Sequence, residues 1–135
     1  MNIAMLLQMA AETFPERIAL TSAGKHYSYS ELYSAAQNAA KIFIDSGCKY
    51  VSVLDTSSPA IPIALFGAGI AGVPYVPLNY RLSALELQGL LERVAPVYLI
   101  TNDEQRDQLG AQGIQILEPT EAFLESTLSG EKTEV

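Results

Sequence analysis

The sequence predicts an α/β fold built on a mainly parallel sheet with flanking helices, and three observations lead there. Short apolar runs of strand type, YVSVL at 50–54, VYLIT at 97–101 and IQIL at 114–117, alternate with helical stretches rather than following one another. Two Ser-x-x-Glu capping boxes, Ser28 with Glu31 and Ser83 with Glu86, mark helix starts. The strand runs are apolar at nearly every position, as they are when helices cover both faces of a sheet. Strands spaced by helices in this way imply right-handed crossovers between parallel neighbours.

The chain of 135 residues, half of them hydrophobic, is large enough for one compact core. Its net charge of −7, from 15 acidic and 8 basic residues, argues against nucleic acid and anionic lipid as partners. Cys48 is the single cysteine, so no internal disulfide or thiolate metal cluster can form, and a reducing cytoplasm fits. A nucleophilic role for Cys48 lacks a base: the one histidine, His26, sits in another segment and reads as a surface side chain.

The N-terminal MNIAMLLQMAAETF reads as an amphipathic helix with Ile3, Leu6, Leu7, Ala10 and Phe14 on its buried side. It has no basic leader, and Glu12 interrupts its apolar run, so neither a signal peptide nor a membrane span is expected. IALTSAGKHYSY gives two short strands around a turn at Ala23-Gly24. The first capping box follows, with Tyr27 and Leu32 placed as a hydrophobic staple. Leu32, Ala35, Ala36, Ala39, Ile42 and Phe43 recur at helical spacing, and Gly47 is the stop. After YVSVL, Ser58 is the expected N-cap and Pro59 the first helical residue of a helix that runs through Ile61, Leu65 and Phe66 into GAGIAG.

GAGIAG, residues 67–72, has the glycine spacing of a dinucleotide-binding fingerprint. That fingerprint needs a strand before the glycines and a helix after them, so that free N–H groups face the pyrophosphate. Here the order is reversed. The glycines end a helix, where carbonyls and partial negative charge are presented, so we read Gly67 and Gly69 as close-packing positions and Gly72 as a left-handed helix stop.

VPYVP at 73–77 is a strand candidate that Pro74 and Pro77 push toward an edge or a short pairing. The second capping box, with Leu82 and Leu87 as staple, opens a helix carrying Leu87, Leu91 and Val94 on one face, and Pro96 ends it. TNDEQRDQLGAQG is expected to hold a short helix. Its Asp103, Glu104 and Asp107 read as an exposed cluster favoured by the helix dipole rather than as metal ligands. Residues 1–117 are expected to form the α/β unit and 118–135 an acidic short helix with a disordered tail. Glu118, Glu121, Glu125, Glu131 and Glu134 against Lys132 make that stretch a solvated one.

Two segments together, YSYSEL at 27–32 and ALFGAGIAGVPYVPLNYRLSALEL at 64–87, resemble the start of the AMP-forming adenylating superfamily, which includes acyl-CoA synthetases, nonribosomal adenylation domains and luciferases. The resemblance runs from about Ile3 to Leu117, with VYLIT following in the right order. PLNYRLS is similar to the acyl- and aryl-CoA synthetase branch, because amino-acid-activating domains more often carry aspartate where Asn79 stands. Asp55-Thr56-Ser57-Ser58 departs from the family's usual Pro-Asn-Ser run.

The resemblance implies the N-terminal subdomain of the acyl-CoA synthetase-like fold and a role in activating fatty or other carboxylic acids. ATP, Mg²⁺ and CoA are the cofactors it implies for an intact parent enzyme. The motifs present are framework motifs; no Ser/Thr/Gly-rich phosphate loop or catalytic lysine is recognisable here, so the expectation is an N-terminal fragment without catalytic residues of its own. A free-standing, non-catalytic interaction module on the same framework is the alternative. Arg81 is the one cofactor-binding candidate, since it follows a strand end where open α/β sheets place ligands; it could reach a CoA phosphate, or pair with a neighbouring carboxylate or carbonyl. A fragment of a larger domain would also expose an apolar face or strand edge and self-associate.

Overall fold

The computed structural model describes residues 3–22, 24–55, 58–78, 83–93, 96–102 and 116–128. The elements are α1 (Ile3–Thr13), β1 (Ile18–Ser22), β2 (Lys25–Ser28), α2 (Tyr29–Ser46), β3 (Tyr50–Leu54), α3 (Ala60–Ala71), α4 (Ala84–Arg93), β4 (Val97–Thr101), β5 (Ile116–Pro119) and α5 (Thr120–Thr127). Strands β3, β4 and β5 lie side by side and parallel, with Tyr50 opposite Val97, Leu54 opposite Thr101 and Tyr98 opposite Ile116. β1 and β2 form a separate antiparallel hairpin turning at Gly24, whose φ of 80° suits a residue without Cβ.

Local chemistry sets the helix ends. Both halves of the first capping box are made: Glu31 N–H donates to Ser28 Oγ at 3.1 Å and Ser28 N–H donates to Glu31 Oε1 at 3.0 Å. Ser83 and Glu86 repeat this reciprocal pair at 3.2 Å for both bonds. Helix α2 stops at Gly47 in the left-handed region. Ser58 caps α3 through its side chain, Oγ accepting from Ala60 N–H at 3.1 Å, with Pro59 at φ −59°. Gly72, at φ 76°, closes α3: its N–H donates to Gly69 and the Val73 N–H to Ala68, the paired bonds of a Schellman motif.

The sheet is covered on both faces. Val51, Val53, Tyr98 and Ile100 pack with α2, α3 and Phe123 of α5, whereas Leu54, Val97 and Leu99 pack with Leu87 of α4. The alanine stripe of α2 brings α3 very close. A Cβ on Gly67 would lie 2.7 Å from Ala39 Cβ and 3.1 Å from the Ala36 carbonyl oxygen. Phe43 links the layers, edge-on to Tyr98 at 5.2 Å and stacked on Phe123 at 5.9 Å.

The buried side of α1 differs from the expectation, and the short pairing expected of residues 73–77 is found. In α1 the buried side is Ala4, Leu7 and Ala11; Ile3, Leu6 and Phe14 are exposed and Ala10 is half-buried. The helix is apolar nearly all round, so periodicity leaves its orientation open, and the small residues turn inward where α1 meets α2 and α3. The 73–77 run pairs through one bridge, Tyr75 to Val51, supported by Val51 N–H to the Pro74 carbonyl and Val76 N–H to the Val51 carbonyl. Two prolines without N–H donors prevent a longer ladder. Strand β5 continues past the apolar run through Glu118 and Pro119, so that half-buried Glu118 lies within it, and residues 114 and 115 of that run lie outside the described residues. The expected helix after Thr101, Asn79, Leu82, Val94 and the SGEKTEV tail lie outside the described residues.

Candidate functional site

The carboxyl ends of parallel strands are where open α/β sheets collect ligand-binding groups. Here β3 is followed by Asp55, β4 by Asn102 and β5 by Thr120 at the start of α5. One carboxylate clasps the other two: Asn102 Nδ2 donates to Asp55 Oδ1 at 2.9 Å, and Thr120 Oγ1 donates to Asp55 Oδ2 at 3.0 Å. Thr120 is buried and the other two are half-buried. A carboxylate with an accepted bond on each oxygen fastens three strand ends together. The fastener also fixes where the chain leaves β3 and β4.

A second polar anchor lies within the sheet. Ser52, fully buried in the apolar β3, donates from Oγ to the Val76 carbonyl at 2.6 Å and ties the proline-broken 73–77 segment in place. Tyr75, on that segment, has its phenol pushed up by burial, an effect opposed by a hydrogen bond to the Val53 backbone. Tyr98 is pushed up to about 12, first by burial and then by the negative charges of Glu118 and Cys48. Burial raises Glu118 as well.

Arg81 and the cluster of Asp103, Glu104 and Asp107 lie outside the described residues. Gly67, Gly69 and Gly72 stand at the C-terminal end of α3, the end that repels phosphate. Cys48 is buried, its Sγ 3.6 Å from the Phe43 carbonyl, while exposed His26 bonds through Nδ1 to Thr21 Oγ1 at 2.9 Å. Among the described residues no three His, Cys, Asp or Glu side chains converge on a metal position. No helix among them is long and apolar enough to cross a membrane. Sequence reasoning passed over Asn102 and Thr120; Asn102 directly follows the strand run VYLIT, whereas Thr120 stands three residues after IQIL and carries no such signal.

The model of the AMP-binding enzyme family matches residues 7–133. A medium/long-chain-fatty-acid–CoA/3-oxocholest-4-en-26-oate–CoA ligase of Mycolicibacterium smegmatis is 32% identical over 112 residues, 81% of this chain and 20% of that protein. The N-terminal domain of FACL13 from Mycobacterium tuberculosis superposes with a TM-score of 0.86 at 21% identity, over all of this chain and 38% of that one. A benzoate CoA ligase from Burkholderia xenovorans LB400 superposes at 0.85 and 21% identity, over all of this chain and 29% of the ligase. The chain therefore spans about a fifth of the M. smegmatis relative's length. With the family model covering nearly all of the sequence and the same framework recurring in CoA ligases, the chain belongs to the family of AMP-binding enzymes.

Proposed function

We propose that the chain is the N-terminal framework of an AMP-forming acid–CoA ligase. In that reaction a carboxylate oxygen attacks the α-phosphorus of ATP and pyrophosphate leaves; the CoA thiol then attacks the acyl carbonyl and AMP leaves. The 32% identity to a fatty-acid–CoA ligase across 81% of the chain carries this reading, and PLNYRLS supports a carboxylic acid substrate, fatty acids included. The role of these residues is to hold the carboxyl edge of the sheet, with Asp55 fixing where the loops leave it. Arg81, just after the proline-anchored segment, is the residue proposed to meet a CoA phosphate. The one thiol, Cys48, is buried, in keeping with a reducing cytoplasm.

Loss of one preorganised contact to a developing charge costs about a hundredfold or more in rate, and neither a phosphate loop nor a catalytic lysine is recognisable in this sequence. The 135-residue chain alone is therefore expected to give no acid-dependent exchange of pyrophosphate into ATP with short, long or aromatic acids. Supplying it in trans to the M. smegmatis ligase lacking its matching N-terminal segment is expected to restore exchange and thioester formation. Exchange by the chain alone would overturn its framework role; a stable complex of the two parts without exchange would overturn the ligase reading. The outer edge of β5 has no strand partner among the described residues, and the isolated chain is expected to self-associate there, which sedimentation at rising concentration measures.

A further inference from the structure

A cleft of about 570 Å³ lies between the end of α1 and the hairpin, away from the carboxyl edge. Its size falls within the roughly 300–1,000 Å³ usual for small-molecule sites. Met9, Phe14 and Ile18 form apolar walls, Thr13 and Tyr29 add polar edges, and Arg17 is the one charged residue lining it among the described residues. Met9 is 56% and Ile18 57% exposed, so large apolar side chains stand in water around a cation. The Arg17 guanidinium lies over the Phe14 ring, 4.3 Å from its centroid, and no carboxylate among the described residues pairs with it.

The turn that carries Arg17 is tied down on both sides. Phe14 N–H donates to Ala10 at 2.7 Å and Arg17 N–H to Phe14 at 3.2 Å. From α2, Tyr29 N–H donates to the Arg17 carbonyl at 2.9 Å and Ser30 N–H to that of Pro15 at 3.2 Å. The guanidinium's backbone is thus held before any ligand arrives, which lowers the ordering cost of binding.

The geometry points to a binding site for a single-chain amphiphilic carboxylate, with the head group on Arg17 and the hydrocarbon chain along Met9, Ile18 and Phe14. A guanidinium fork matches a carboxylate, and the apolar walls match an alkyl tail. A monomeric fatty acid anion fits better than an anionic bilayer, which a protein of net charge −7 repels. This site goes beyond the ligase reading and does not depend on it.

The test uses the full 135-residue chain labelled with ¹³C at its three methionine methyls. Dodecanoate, titrated below its micelle concentration, is expected to shift the Met9 signal saturably and leave Met5, which does not line the cleft, in place. Arg17→Gln should weaken that response about tenfold or more, and Arg17→Lys should retain most of it. Dodecanol should act far more weakly on the wild type, a comparison that needs no variant. The proposal is overturned if dodecanol equals dodecanoate, if Arg17→Gln responds like wild type, or if Met5 and Met9 shift alike. A response only to vesicles overturns it in favour of a lipid surface, and a Met9 shift on protein dilution in favour of an interface between two copies.

Discussion

Gly67 and Gly72 lie five positions apart in one glycine-rich run, yet their reasons for being glycine differ. At Gly67 the constraint is contact, since an added methyl meets Ala39 Cβ and the Ala36 carbonyl at distances that leave no room. Gly67→Ala should cost about 1–3 kcal/mol through overpacking, outweighing the roughly 1 kcal/mol that alanine gains as a helix former. At Gly72 a Cβ would meet nothing within 4 Å beyond its chain neighbours, so the cost is that of the left-handed backbone, about 1–2 kcal/mol. Urea denaturation of the two alanine variants separates the cases: only Gly67→Ala should loosen α2 against α3 in hydrogen exchange. Tyr98 makes a different prediction. Its phenol titrates near 10 when unfolded and about 12 when folded, so the native state holds the proton longer. Stability is then fully present below pH 10 and lost as pH rises toward 12. The melting temperature of Tyr98→Phe should fall less steeply across that interval than that of the wild type.

Between elements, the polar fasteners do what apolar packing cannot, which is to fix register at specific points. Asp55 ties the ends of β3, β4 and β5, Ser52 ties β3 to the 73–77 segment, and Asn38 Nδ2 donates to the Thr127 carbonyl at 3.0 Å to tie α2 to the end of α5. Removing one partner of a buried hydrogen bond leaves the other unsatisfied, at about 1–3 kcal/mol. Asp55→Ala should lower stability by that order, and amide exchange should speed up at the carboxyl ends of β3 and β4 before the amino ends. Uniform exchange along both strands would show that Asp55 contributes only to global stability.

For the molecule as a whole, α5 belongs to the core. Phe123 is fully buried and stacks against Phe43 with an interplanar angle of 11°. Thr127, also buried, donates to the Phe123 carbonyl within the helix at 2.9 Å. Phe123→Ala should cost about 3–5 kcal/mol, the range for deleting a buried aromatic ring, and should make residues after Pro119 sensitive to protease while the capped ends of α2 and α3 persist longer. A melting curve with limited proteolysis beside it tests both parts.

What the sequence determined by itself was local and periodic. The two capping boxes, the glycine stops, the apolar strands and the reversed order at GAGIAG each rest on neighbours a few residues apart, and the fold class follows from their alternation. The side of α1 that is buried depends on how closely α2 and α3 approach, because nearly every side of that helix is apolar. The short pairing of the 73–77 run follows from Pro74 and Pro77, but that its one bridge is made to Val51 depends on the packing of that segment against β3. The clasp of Asp55 joins residues 47 and 65 positions away in the chain, Asn102 and Thr120. Only the parallel packing of β3, β4 and β5 brings those three strand ends within hydrogen-bond distance, because a pairing across such separations leaves no trace in local spacing.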